Sequence, residues 1–209
     1  LRASPHPANL LIIAAMNILD QFKLTGKVAV VTGGAGIVGQ GIVRAVAEAG
    51  ARVVTASRSL DAGETVARAL RAEGHDVQAL AYDQADEASV LTLRDQVLAR
   101  LGRVDILVNN AVVRPMKEGH TGPASTFADS MTVNATGLFV ISRAFGDVMA
   151  RQGVGSLINI ASIQGAIGPD ATLYEGLNMS GWYPDYFFHK GGMLNFTRYL
   201  ASYYGRFGV

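Results

Sequence analysis

Two hydrophobic periods alternate along this chain from Lys27 onward, and that alternation limits the fold more than any single residue does. Val28-Ala29-Val30-Val31 is a short β-branched run closed by Thr32-Gly33-Gly34, the pattern of a strand buried on both faces. Positions 37–49 then carry apolar residues at helical spacing and stop at Gly50. Arg52 to Ala56 and Val77 to Ala81 read as further strands, followed by helical stretches at 61–73 and 86–101 that halt at Gly74 and Gly102. Val104 to Val108 gives a fourth strand. Pro123 suits the first turn of a long helix reaching about Met149, Leu157 to Ile160 gives a fifth strand, and 186–204 a last helix. Strands joined through helices lie parallel, because a parallel pair needs a crossover connection. The expected fold is therefore α/β: a doubly wound parallel sheet between two helix layers, with ligands held beyond the carboxyl ends of the strands.

Composition narrows the function classes. The 209 residues are 49% hydrophobic and 17% charged, which excludes a disordered chain. A formal net charge of +1 gives no bulk attraction to nucleic acid or to an anionic membrane, so neither is expected as a partner. The absence of cysteine removes thiolate metal sites and a cysteine nucleophile. His6, His75, His120 and His189 are scattered without ligand spacing, and no metal is expected. The apolar run Leu10 to Met16 is far below the roughly 18 residues that cross a bilayer, and Pro5 and Pro7 precede it; the expected location is cytoplasmic. Residues 1–15 are read as an appendage or tag, and 16–209 as one domain. A further strand is expected beyond Val209.

Thr32-Gly33-Gly34-Ala35-Gly36-Ile37-Val38-Gly39 joins the first strand to the first helix. Glycines there let the backbone approach a pyrophosphate, whose charge meets the free N–H groups of the helix N-terminus. Gly33, Gly36, Ile37 and Val38 are the residues assigned to that contact; a tight turn with close helix packing is the plainer alternative. The second strand ends at Ser57-Arg58 with no acid to accept ribose hydroxyls. Arg58 suits a 2′-phosphate, which favours NADP(H) over NAD(H), although a surface arginine after a strand is common. Asp83, just after the third strand, suits an adenine amino group or caps the chain at Ala85.

Tyr186 and Lys190 stand four apart at the start of the last helix and so share a face. A free phenol is too weak an acid for proton transfer at neutral pH, and a neighbouring ammonium favours its ionised form. Among the tyrosines only Tyr186 has lysine at this offset; Tyr174 has Asn178.

With these segments placed, the chain resembles the short-chain dehydrogenase/reductase family of single-domain, Rossmann-fold type. The resemblance is carried by Thr32 to Gly39, Asn109-Asn110-Ala111, Val133-Asn134-Ala135, Asn159-Ile160-Ala161-Ser162, and Tyr186 through Val209. It implies that Tyr186 is the general acid/base and that Lys190 assists it while holding the nicotinamide ribose. Ser162 would hydrogen-bond the substrate oxygen, Asn134 would hold a water relaying protons to Lys190, and Asn110 with Ala111 would line the adenosine side of the cleft. It also implies a homotetramer or homodimer, with helices 124–149 and 186–204 at one interface and Phe187, Tyr199 and Tyr203 on the apolar face.

Four features depart from the family pattern. The glycine spacing is TGxxGxxG, with Ile37 where glycine is usual; Val112 follows Asn109-Asn110-Ala111 in place of glycine; Ser162 and Tyr186 are 24 residues apart, about a dozen more than usual. The excess, Tyr174 to Asp185, is expected to loop over the substrate end. The family's sixth strand, with the Pro-Gly turn and substrate lid beyond it, does not occur up to Val209. The function implied is hydride transfer between NADP(H), or NAD(H), and a secondary alcohol or ketone, with a sugar or sugar acid as substrate as in gluconate 5-dehydrogenases. The alternatives are a regulatory NAD(P)-binding protein and an enzyme resembling nucleotide-sugar epimerases or dehydratases, whose glycine spacing this is.

Overall fold

The computed structural model describes residues 17–176 and 182–209; the expected appendage at 1–15 lies outside them. Five parallel strands form the sheet: β1 (Val28–Thr32), β2 (Arg52–Ser57), β3 (Val77–Ala81), β4 (Ile106–Asn109) and β5 (Ser156–Asn159), in the order β3-β2-β1-β4-β5. Val30 pairs with Val54 on one side and Leu107 on the other. The winding reverses at β1, so the crevice between the ends of β1 and β4 is the switch point where such sheets hold ligands.

Helices α1 (Ile37–Glu48) and α2 (Leu60–Ala72) cover one face, while α3 (Glu87–Leu101) and α5 (Leu138–Gln152) cover the other. This division explains the unbroken apolar run of β1. Val28 and Val30 face the layer containing Val97, Ile141 and Phe145, whereas Ala29 and Val31 face Val43, Ala47 and Ala67. Polar residues set the helix ends: Ser59 Oγ accepts the Ala62 N–H (3.2 Å), Asp86 Oδ1 accepts the Ala88 N–H (2.9 Å), and Gly102 ends α3 at a φ of 77°. No helix among the described residues is long and apolar enough to cross a membrane.

Three expected elements change most in the structure. The fourth strand begins at Ile106 rather than Val104, because both main-chain groups of Val104 are bonded by the Gln152 amide (3.2 and 2.7 Å). The fifth runs from Ser156 to Asn159, one residue early at each end. The single long helix is two, α4 (Ala124–Met131) and α5, joined by a π turn at Thr132–Gly137. A Cβ at Gly137 would lie 2.2 Å from the Gln84 carbonyl oxygen, and Gln84 Nε2 donates to the Val133 carbonyl (2.9 Å); the loop after β3 is docked on the turn. The last helix, α6 (Pro184–Tyr204), is tied to α5 where Tyr204 Oη donates to Asp147 Oδ1 (2.7 Å).

Candidate active site

One end of the crevice is built from β1, β2, β3 and β4. Gly33, at a φ of 63°, turns the chain out of β1, and Gly36 caps α1 without any side-chain hydrogen bond. A Cβ at Gly39 would lie 2.1 Å from the Gly33 carbonyl oxygen, so only glycine lets α1 begin this close to the turn. Ile37, in the unusual position, is 96% exposed; its side chain leaves the turn, which accommodates the altered spacing. Gly33, Ser57, Arg58, Asp83, Ala111 and Val112 line an open pocket. Five of the residues assigned to the cofactor from sequence are thus brought together, while Gly36, Ile37 and Val38 stand at the start of α1.

Asn110, expected on the adenosine side, directs its amide to the neighbouring main chain. Its Nδ2 donates to the Thr32 carbonyl (3.0 Å) and the Gly33 carbonyl (3.1 Å), and its N–H donates to Thr32 Oγ1 (2.9 Å). Thr32 Oγ1 also accepts the Ala111 N–H (3.0 Å) and donates to the Val108 carbonyl (3.2 Å). These two residues stitch β1 to β4, and Ala111 faces the pocket. Asp83 Oδ1 accepts the Ala85 N–H (2.9 Å), as a cap does, and the residue also lines the pocket.

At the other end, Tyr186 lies in the first turn of α6, which Pro184 initiates, and Lys190 follows one turn later. Lys190 Nζ is 5.7 Å from the Tyr186 ring centroid and donates to the Ile160 carbonyl at the end of β5. Lys190 is 3% exposed and has no acidic partner among the described residues. Its ammonium is pushed down to about 8, first by burial and then by the Arg114 guanidinium. Arg114 lies with Cζ 5.3 Å from the same ring. The His189 ring stands perpendicular to it at 5.2 Å, with both nitrogens buried and unpartnered. Burial, Lys190 and Arg114 push His189 down to about 4, so it is neutral at physiological pH.

Ser162 caps the short turn Ile163–Gly165, its Oγ accepting the Gln164 N–H (3.2 Å), which leaves the hydroxyl proton for another acceptor. Asn134 sits in the π turn, buried. Its Oδ1 accepts the Val113 N–H (3.0 Å), and its Nδ2 donates to the Val113 carbonyl (2.8 Å) and to Ser130 Oγ (2.9 Å). Both amide protons are therefore used; a water at Asn134 is left the main-chain carbonyl or the second lone pair of Oδ1.

Part of the expected loop, 177–181, lies outside the described residues. Of the rest, Trp182 packs edge-to-face on Tyr174 at 5.8 Å and meets Gly119. Sequence reasoning missed Arg114, Ser130 and Asp185; the only signals were their positions beside Asn110, Asn134 and Tyr186. It also gave no hint that Glu48, Glu73 and His75 converge on the surface, where Arg44 pairs with both carboxylates.

Comparison with known proteins shows the family and the fold. The family model described as short chain dehydrogenase matches residues 27–209. The galactitol 2-dehydrogenase of Rhizobium johnstonii is 35% identical over 93% of this chain and 72% of its own length. A gluconate 5-dehydrogenase from Burkholderia cenocepacia, solved in complex with NADP and tartrate, superposes with a TM-score of 0.80 at 30% identity over 92% of this chain and 71% of that one. An NAD+-bound xylitol dehydrogenase superposes with a TM-score of 0.77 at 27% identity over 89% and 68%.

Proposed function

The chain belongs to the short chain dehydrogenase family, and from that premise we propose that it is an oxidoreductase, preferring NADP(H), that interconverts a secondary alcohol and a ketone of the sugar-alcohol or sugar-acid class. The observation that carries this reading is a buried lysine without an acidic partner among the described residues, beside a tyrosine, on the same side of the sheet's carboxyl ends as an arginine-lined pocket and the helix N-terminus at Gly36.

The cleft fits a dinucleotide on its own chemistry. The first-turn N–H groups of α1 have no capping side chain, and Gly33, Gly36, Ile37 and Val38 would hold the pyrophosphate there. Ser57 and Arg58 would hold a 2′-phosphate, with Asp83 and Ala111 flanking the adenosine and Lys190 holding the nicotinamide ribose. The nicotinamide, when bound, supplies the hydride chemistry at its C4.

The chain's own residues do the proton work. Ser162 donates its free O–H to the substrate oxygen, fixing it while charge develops there. Tyr186 takes the hydroxyl proton during oxidation and returns it during reduction. Lys190 and Arg114 offset the negative charge on the tyrosine oxygen while the proton is away. Asn134 holds a water that passes the proton outward past Lys190.

Names of relatives support the substrate class: galactitol and xylitol are polyols, and the gluconate 5-dehydrogenase was solved with NADP and tartrate. The cationic Arg114 beside Tyr186 suits an acid as well as a polyol. We place the enzyme in the cytoplasm as one domain over 16–209 and as a homotetramer or homodimer through α4, α5 and α6; of the expected aromatic face Tyr199 and Tyr203 are exposed and Phe187 is half-buried, while Phe139 adds exposed aromatic surface. The test is oxidation of galactitol, xylitol and D-gluconate with NADP+ and NAD+, followed by absorbance of the reduced nicotinamide. Turnover that falls about 100-fold or more in Tyr186→Phe supports the assignment; turnover unaffected by that change refutes it.

A further inference from the structure

Asp185 precedes Tyr186, is fully buried, and takes no part in the proton transfers assigned to Ser162, Tyr186 and Lys190. Its Oδ2 accepts a hydrogen bond from Ser130 Oγ (2.5 Å), and that oxygen accepts in turn from Asn134 Nδ2 (2.9 Å). Asn134 grips Val113 by its N–H (3.0 Å) and its carbonyl (2.8 Å). The next residue is Arg114, whose guanidinium returns to the ring of Tyr186. The path leaves α6 at Asp185 and comes back to α6 one residue later.

We propose that Asp185 is a positioning residue which, through Ser130 and Asn134, fixes the Val113–Arg114 segment so that the guanidinium stays over Tyr186 and beside Lys190. The inference rests on reading Tyr186 and Lys190 as the reacting pair.

Packing alone gives no reason for a carboxyl group here. Burying one is costly, and an apolar side chain of similar volume would fill the space at less cost. Asp185 Oδ1 is buried too and has no partner among the described residues, so the carboxyl's one hydrogen bond is the link to Ser130. Its place as second residue of α6 favours a negative group at the helix N-terminus. Among the described residues, the titratable and charged groups that meet the Tyr186–Lys190 pair are His189 on α6 and Arg114 on the loop after β4, with Asp185 at the start of α6 turned to Ser130. His189 is neutral well below pH 7, and Arg114 is the cation that acts on Lys190. Holding or releasing Arg114 thus changes the pH at which Lys190 ionises.

The test compares Asp185→Leu, Asp185→Asn, Arg114→Gln and the Leu/Gln double variant in the full chain, with Ser130→Ala replacing Asp185→Leu if the latter does not fold. The first readout is the pH profile of galactitol oxidation with NADP+. The second, free of substrate, is amide hydrogen exchange at Val113 and Arg114. Asp185→Leu is expected to move the alkaline inflection upward by about half a pH unit, in the same direction as Arg114→Gln. The double variant moves no further than Arg114→Gln alone. Exchange at Val113 quickens about 10-fold or more, and Asp185→Asn, which keeps an acceptor for Ser130, stays near the parent on both readouts. Additive shifts, or a lower melting temperature with inflection and exchange unmoved, overturn the proposal. If the parent oxidises no alcohol while exchange quickens as expected, the positioning path stands and the catalytic reading falls.

Discussion

A side chain at position 165 would place its first carbon 2.6 Å from the carbonyl oxygen of Lys190. Gly165 closes the turn that Ser162 opens, so this contact presses the Ser162 turn against α6 at the lysine. Main chain of the Ser162 turn and of α6 thus meets here, on the two elements that carry the residues assigned to the substrate oxygen and to the proton path.

Gly165→Ala forces backbone apart, since the obstructing atom belongs to the main chain. The expected cost is about 1–3 kcal/mol of stability together with a loss of turnover larger than the loss of cofactor affinity. Gly168→Ala is the control, because a Cβ there meets nothing within 4 Å. Equal effects at the two positions, read by urea denaturation and steady-state kinetics, would show that this contact does not hold the two elements together.

Thr32 is fully buried, and its hydroxyl joins β1 to β4 through three hydrogen bonds. Thr32→Val keeps the shape and leaves two N–H groups without an acceptor. A loss of about 2–4 kcal/mol is expected, with Thr32→Ser recovering most of it. A valine variant as stable as the parent would show that these N–H groups find other partners.

Much of this was legible in the chain. Strand β3 occupies the expected Val77 to Ala81, and every other strand lies within two residues of expectation, because β-branched runs between glycines have few other uses. Tyr186 and Lys190 were legible because helical spacing is local. What escaped is non-local: the π turn depends on Gly137 meeting the Gln84 carbonyl, and the bond from Ser130 to Asp185 joins residues 55 positions apart. The hold that the Asn110 amide takes on the Thr32 and Gly33 carbonyls also escaped, because a short polar side chain at a strand end does not disclose which main-chain groups it reaches.

His189 predicts an acid weakness. Its folded value is about 4 against an ordinary 6.5, so between those values the unfolded chain binds more protons than the folded one. Stability therefore falls as pH drops from about 6.5 to about 4, by on the order of 3 kcal/mol. His189→Phe, still aromatic against Tyr186, should flatten that limb in thermal melts across the window. An unchanged limb would assign the acid sensitivity elsewhere.

Lys190 gives the opposite end of the profile. It ionises near 8 in the folded chain and near 10.5 when unfolded, so its burial penalty is fully present below about 8 and fades as pH rises toward 10.5. Lys190→Met should remove this rise in stability and abolish turnover. A rise that persists in the methionine variant belongs to another group.

The proposed preference for NADP(H) rests on Arg58, which lines the pocket. The most direct test is equilibrium titration of the chain with NADPH and with NADH, following the fluorescence of Trp182, the sole tryptophan, for parent and Arg58→Ala. Both nucleotides should quench it, NADPH binding at least about 10-fold more tightly, and that advantage should vanish in Arg58→Ala. Equal affinities in the parent, or an NADPH advantage that survives the alanine, would contradict the assignment of Arg58, and no binding of either nucleotide would contradict the cleft itself.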